Sequence, residues 1–132
     1  MTHWEDLDVF TGVDLEDSAV LRWSLLENAL VIEVEGSLLP SHHSYEKPLP
    51  GSHACYKPAR LVFPFPAEVL GLLPMSEVER TDSQGGAPNY GTILGLSLKD
   101  DARYRVSGEF GEIAVQSMAV RFEITSQRQC AR

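Results

Sequence analysis

The sequence predicts an all-β fold, mainly antiparallel: a single-domain β-sandwich or barrel of about seven to nine strands with little helix. Three observations predict it. Apolar residues recur with period two in several short segments. Turn residues bound those segments at short intervals. No long segment carries apolar residues at helical spacing.

Along the chain, residues 3–12 place Leu7, Val9 and Phe10 among carboxylates, a pattern that suits either a helical turn or a short strand. Residues 14–18 read as a turn. Residues 19–26 alternate as a strand, with Leu21, Trp23 and Leu25 on one face. Glu27-Asn28 suits a hairpin turn, because Asn tolerates left-handed backbone. The next strand is the clearest: Leu30, Ile32 and Val34 face one way, and Glu33 and Glu35 the other. Residues 39–58 form a long irregular loop holding Pro40, Pro48, Pro50 and Pro58, prolines that argue against a central strand. Alternation resumes at Ala59, Leu61 and Phe63 and stops at Pro64 and Pro66.

Residues 68–73 suit an edge strand, 75–80 a weak strand, and 81–89 a polar loop. The last third reads as a meander. Thr92, Leu94, Leu96 and Leu98 share one face, and Lys99-Asp100-Asp101 turns the chain. Tyr104, Val106 and Phe110 then oppose Arg103, Arg105 and Glu109, and Gly111-Glu112 makes a tight connection. In the final strand the apolar residues change parity, from Ile113 and Val115 to Met118, Val120, Phe122 and Ile124. One inserted residue accounts for this, which predicts a β-bulge at Gln116 or Ser117; burial of both faces at the strand centre is the competing explanation. The expected core is Leu21, Trp23, Leu30, Ile32, Val34, Leu61, Phe63, Leu94, Leu96, Tyr104, Val106, Val120, Phe122 and Ile124.

The chain has 132 residues, the size of one ordinary domain. No apolar run approaches the roughly 18 residues that span a bilayer, and the N-terminus is acidic where a signal peptide is basic. The expected location is therefore the cytoplasm, with no membrane partner. Cys55 and Cys130 are few, far apart and outside any framework spacing, so both are expected as reduced thiols. The net charge of −8 is uneven. Residues 1–46 hold ten acidic residues against Arg22 alone, whereas 47–132 hold nine acidic against ten basic. Nucleic acid would be repelled by this charge; a basic protein would be attracted.

Two sets of site residues emerge. Glu33 and Glu35 lie on one strand face, while Tyr45 and Tyr56 stand on the proline-stiffened loop. Together they suit capture of a basic protein partner, by electrostatic steering followed by tyrosine contact. The same loop holds His42, His43, His53 and Cys55, residue types that bind zinc, although their spacing matches no zinc signature. The chain carries no GxSxG, Walker, GxGxxG or HExxH motif, and no catalytic residue is expected. The segments Leu61-Val-Phe-Pro-Phe-Pro and Arg103 to Ile113 resemble parts of small bacterial proteins without an assigned role; no site residue follows from that. The expectation is a non-enzymatic binding module, monomer or homodimer, with an acidic face for a basic protein and no cofactor. Toxin-immunity proteins share this profile of charge and size. The alternative is a small metal- or ligand-binding protein using the histidine loop, with zinc as its cofactor.

Overall fold

The computed structural model describes residues 1–80, 89–100 and 102–130. Among them, nine strands form two sheets that pack face to face as a sandwich and do not close into a barrel. Strands β1 (Thr2–His3), β6 (Gly95–Lys99), β7 (Arg103–Gly108), β8 (Gly111–Gln116) and β5 (Glu68–Leu70) make a five-stranded sheet in that order. Strands β2 (Val13–Leu25), β3 (Ala29–Leu38), β4 (Cys55–Pro64) and β9 (Arg121–Ile124) make the other. Every pairing is antiparallel. Two short 3₁₀ turns, Trp4–Asp6 and Asp8–Phe10, fill the N-terminal segment that the sequence left undecided.

The β2–β3 hairpin turns at Glu27-Asn28 as the sequence indicates, and the Leu26 N–H bonds the Ala29 carbonyl at 2.8 Å. Alternation places Leu30, Ile32 and Val34, each fully buried, against Phe63, Leu61 and Ala59 of β4. Trp23 closes the side of the core. Its indole N–H bonds the Leu73 carbonyl at 2.7 Å, and its ring meets Tyr90 and Phe110 edge-on.

Several expectations are corrected. Residues 14–18 belong to β2, in an irregular stretch of its ladder. Leu21 is the extra residue of a second irregularity, where the register passes from Val20↔Val34 to Arg22↔Glu33. This is why Val20 and Trp23 are both buried; Leu25 shares Trp23's face but is exposed at the end of the strand. Pro58 stands within β4, a central strand. Its carbonyl accepts the Thr125 N–H, and the nitrogen of an extended residue points to the same side as its own carbonyl. The missing donor therefore faces β9 just where β9 ends, and the β3 ladder loses nothing. The bulge expected at Gln116 or Ser117 is instead a strand break: β8 ends at Gln116, and β9 begins at Arg121 in the opposite sheet. The parity changes because the chain crosses from one layer to the other.

Residues 75–77 form a 3₁₀ turn rather than a strand. Leu94 is 66% exposed and its neighbour Ile93 takes the core position, because β6 begins only at Gly95. The tight connection falls at Glu109-Phe110, between the paired Gly108 and Gly111. The polar loop expected at 81–89 lies outside the described residues except for Asn89.

Gly111 has φ +118°, and a Cβ there would overlap the Gly71 carbonyl oxygen. Gly51 has φ +85° but open space around it. We predict that Gly111→Ala lowers unfolding free energy in urea by more than about 1 kcal/mol, and by more than Gly51→Ala, which carries only the backbone penalty.

Candidate functional site

The irregular start of β2 builds the site. Between Asp14↔Ser37 and Ala19↔Glu35, β2 advances five residues while β3 advances two. The surplus backbone is pinned from inside: the buried Ser18 hydroxyl donates to the Asp14 carbonyl at 2.9 Å and accepts the Ser37 N–H at 3.0 Å. The loop so formed re-aims Asp17 toward β4. One Asp17 oxygen, Oδ2, accepts the Ser37 hydroxyl at 2.9 Å and the Tyr56 hydroxyl at 2.8 Å. The Tyr56 oxygen also lies 2.7 Å from His53 Nε2. A phenol has one proton to give. With that proton directed to the carboxylate, His53 Nε2 carries its own hydrogen and donates to Tyr56. His53 Nε2 also lies 3.5 Å from Asp17 Oδ2.

A cleft of about 270 Å³ opens beside this network, between the start of β2 and residues 39–54. Asp14, Asp17, Tyr45, Pro48 and His53 line it, and none of its described lining residues is Lys or Arg. Tyr45 is half-buried and packs against the core with its other side. Tyr56 is only 2% exposed, so it holds Asp17 in place and offers no contact area of its own.

A clamp lies on the inner face of the same end. Cys55 and Cys130 form a disulfide with Cα atoms 4.9 Å apart, which corrects the expectation of reduced thiols. Sequence spacing gave no hint of it because the partners are 75 residues apart and meet only when the C-terminal tail folds back over β4. Lys57, 2% exposed, directs its ammonium to Glu46 Oε2 at 3.0 Å, joining β4 to the loop. Gly12 has φ +79° and sits where any side chain would collide with the His42 backbone, and its carbonyl accepts the Leu39 N–H at 2.8 Å.

The zinc-type residues are not brought together. His42 and His43 stack on each other with ring centres 4.5 Å apart, His53 turns to Tyr56, and the Cys55 sulfur is bonded to Cys130. Among the described residues no three His, Cys, Asp or Glu side chains stand in a metal-holding group. Burial, then the His43 and Lys57 charges, lowers the His42 pKa from its ordinary 6.5.

Glu33 and Glu35 lie on the outer face of the four-stranded sheet, and neither lines the cleft. There Arg22, Glu33, Arg60 and Glu123 stand directly opposite one another across four strands. Arg22 meets Glu33 at 3.2 Å and Arg60 meets Glu123 at 2.8 Å. Charge alternates along this ladder, so Glu33 is neutralised by its neighbours. Glu35 lies between Ala19 and Pro58, one step further along β3's outer face.

The fold and this geometry define an antiparallel β-sandwich with an acidic, tyrosine-lined cleft at a clamped end. Comparison of the chain with protein families, with curated proteins and with solved structures finds no match.

Two outcomes follow. Glu46→Ala leaves a buried ammonium without its carboxylate and should destabilise the protein by about 3 kcal/mol, while Lys57→Met, which removes the buried charge, should cost less than about 1 kcal/mol. Chemical denaturation of both variants checks this ordering. The lowered pKa of His42 means that the unfolded chain takes up a proton that the folded protein refuses. Stability is complete above the ordinary histidine range and falls as pH drops through it. Between about pH 7.5 and about pH 5.5 the wild type should therefore lose more stability than His42→Gln, measured by denaturation at each pH.

Proposed function

We propose that the protein is a non-enzymatic binding module that receives a basic group of a protein partner, a Lys or Arg side chain, in the cleft between β2 and residues 39–54. One observation carries the reading: Asp14 and Asp17 face a concave site beside the Tyr45 ring, with no described Lys or Arg side chain lining it. Carboxylates attract an ammonium or guanidinium, and a tyrosine face adds cation–π attraction. Proline on the cleft wall limits the entropy lost when the loop orders around a ligand. The net charge of −8 steers such a partner from a distance. The contact itself rests on Asp14, Asp17 and Tyr45 rather than on Glu33, whose charge already serves Arg22. Tyr56 contributes by holding Asp17.

The disulfide supports an oxidising compartment for this binding, because such bonds are rare in the reducing cytoplasm. No helix among the described residues is long and apolar enough to cross a membrane.

A short arginine-containing peptide, titrated at low salt and followed by amide chemical shifts, tests the reading. Binding should perturb the amides of Asp14, Asp17, Tyr45 and His53. Asp14→Asn should weaken it about fivefold or more, and Glu33→Gln by less than about twofold. Equal binding of an uncharged peptide, or an unchanged affinity in Asp14→Asn, would contradict the proposal.

A further inference from the structure

The end of the sandwich opposite the clamp carries an unusual amount of exposed apolar surface. Leu25 is 56% exposed, Leu26 52%, Phe65 77% and Met118 94%. They come from the end of β2 and from three connections between strands, and hydrogen bonds tie those connections together. The Phe65 N–H donates to the Asn28 carbonyl at 2.8 Å. The Ser117 hydroxyl donates to the Pro64 carbonyl at 2.7 Å, which brings Met118 to the same rim. A clustered patch of this kind marks an interaction surface, unlike scattered single residues.

Phe65 adds an independent observation. Its φ is +41°, a region that bulky residues rarely occupy. It also precedes Pro66, which disfavours helical backbone at the residue before it. The chain thus holds an aromatic side chain outward, in a strained conformation, where it gains little burial within its own fold. Strain of this sort persists at sites with a role beyond stability.

The charges at the rim point to the occupant. Glu27 sits on the hairpin tip between Leu26 and Asn28 and has no ion-pair partner among the described residues. Arg121 and Arg60 line a cavity of about 230 Å³ beside Phe65, and the two guanidiniums share a single carboxylate, Glu123. The rim therefore carries one unpaired negative group and an excess positive group around an apolar centre. A lipid surface, or a partner of one sign, would leave one of them uncompensated. A second copy of this chain satisfies both, because a twofold axis lying in the interface between the two charges sets each Glu27 against the other copy's Arg121.

We propose that this end is a self-association surface. Two copies meet through Leu25, Leu26, Phe65 and Met118 and are registered by reciprocal Glu27–Arg121 pairs. Both acidic clefts stay free at the far ends, so the dimer presents two binding sites.

Sedimentation of the full chain up to about 0.5 mM tests this. The wild type should dimerise. Phe65→Ser should weaken the dimer about tenfold or more. Met118→Ser, at a residue with almost no burial in the monomer, should do the same with an unchanged circular dichroism spectrum. Glu27→Arg and Arg121→Glu should each weaken association, and the double variant should restore it. A wild type that stays monomeric throughout would overturn the proposal, as would a dimer indifferent to both apolar substitutions or to both charge reversals. Monomeric binding to phosphatidylcholine or phosphatidylglycerol vesicles, abolished by Phe65→Ser, would overturn it in favour of a lipid surface.

Discussion

The Cys55–Cys130 disulfide, working with the ion pair between buried Lys57 and half-exposed Glu46, is the constraint on which the functional end depends. Residues 39–54 contain no strand or helix. Backbone entropy opposes ordering such a segment by about 1–2 kcal/mol per residue. Its footing at Gly12 and Leu39 is a single hydrogen bond. The clamp supplies what the loop cannot. Closing a span of 75 residues removes unfolded-state entropy equivalent to about 4 kcal/mol. The ion pair fixes the loop's midpoint, and Lys57 is dry enough that losing Glu46 would expose the full desolvation penalty.

Through the sheet from this clamp lies the cleft. Cys55 and Lys57 point inward from β4 and Tyr56 between them points outward, because strand residues alternate. The same three residues therefore tie down the loop on one face and hold Asp17 on the other. Positioning the carboxylate takes an irregular stretch of β2, a buried serine and a tyrosine hydroxyl. Elsewhere on the sheet the carboxylates are paired: Glu33 and Glu123 alternate with arginines in a ladder of exposed cross-strand pairs. The acidity of the cleft comes from Asp14 and Asp17.

Regular strands were legible in the sequence because their side chains report one face at a time. Leu30, Ile32 and Val34 against Glu33 and Glu35 announce β3 without ambiguity. Legibility fails wherever the period of two is broken. In β2 the apolar set shifts from Val13 and Leu15 to Val20 and back to Trp23, a signal that a bulge-aware reading of parity could have caught. The β8–β9 parity change was visible, but one strand with an inserted residue and two strands in different sheets give the same local pattern. Proline at position 58 misled because its effect depends on which neighbour its nitrogen faces, and that is fixed only by the sheet. The loop's composition singles out Tyr45 as a contact residue and His53 as a zinc ligand, and both line the cleft. Asp14 and Asp17 are not singled out by composition, since both sit at a register shift and Asp17's partners are 20 and 39 residues away. The disulfide is invisible for the same reason: its proximity is tertiary.

The most direct test is amide hydrogen exchange of the intact chain, with the disulfide oxidised and then reduced. If the clamp holds the cleft, reduction speeds exchange across residues 39–54 and the first residues of β4, and leaves β6, β7 and β8 protected as before. Unchanged protection of residues 39–54 after reduction, or an equal loss in every strand, would contradict the account.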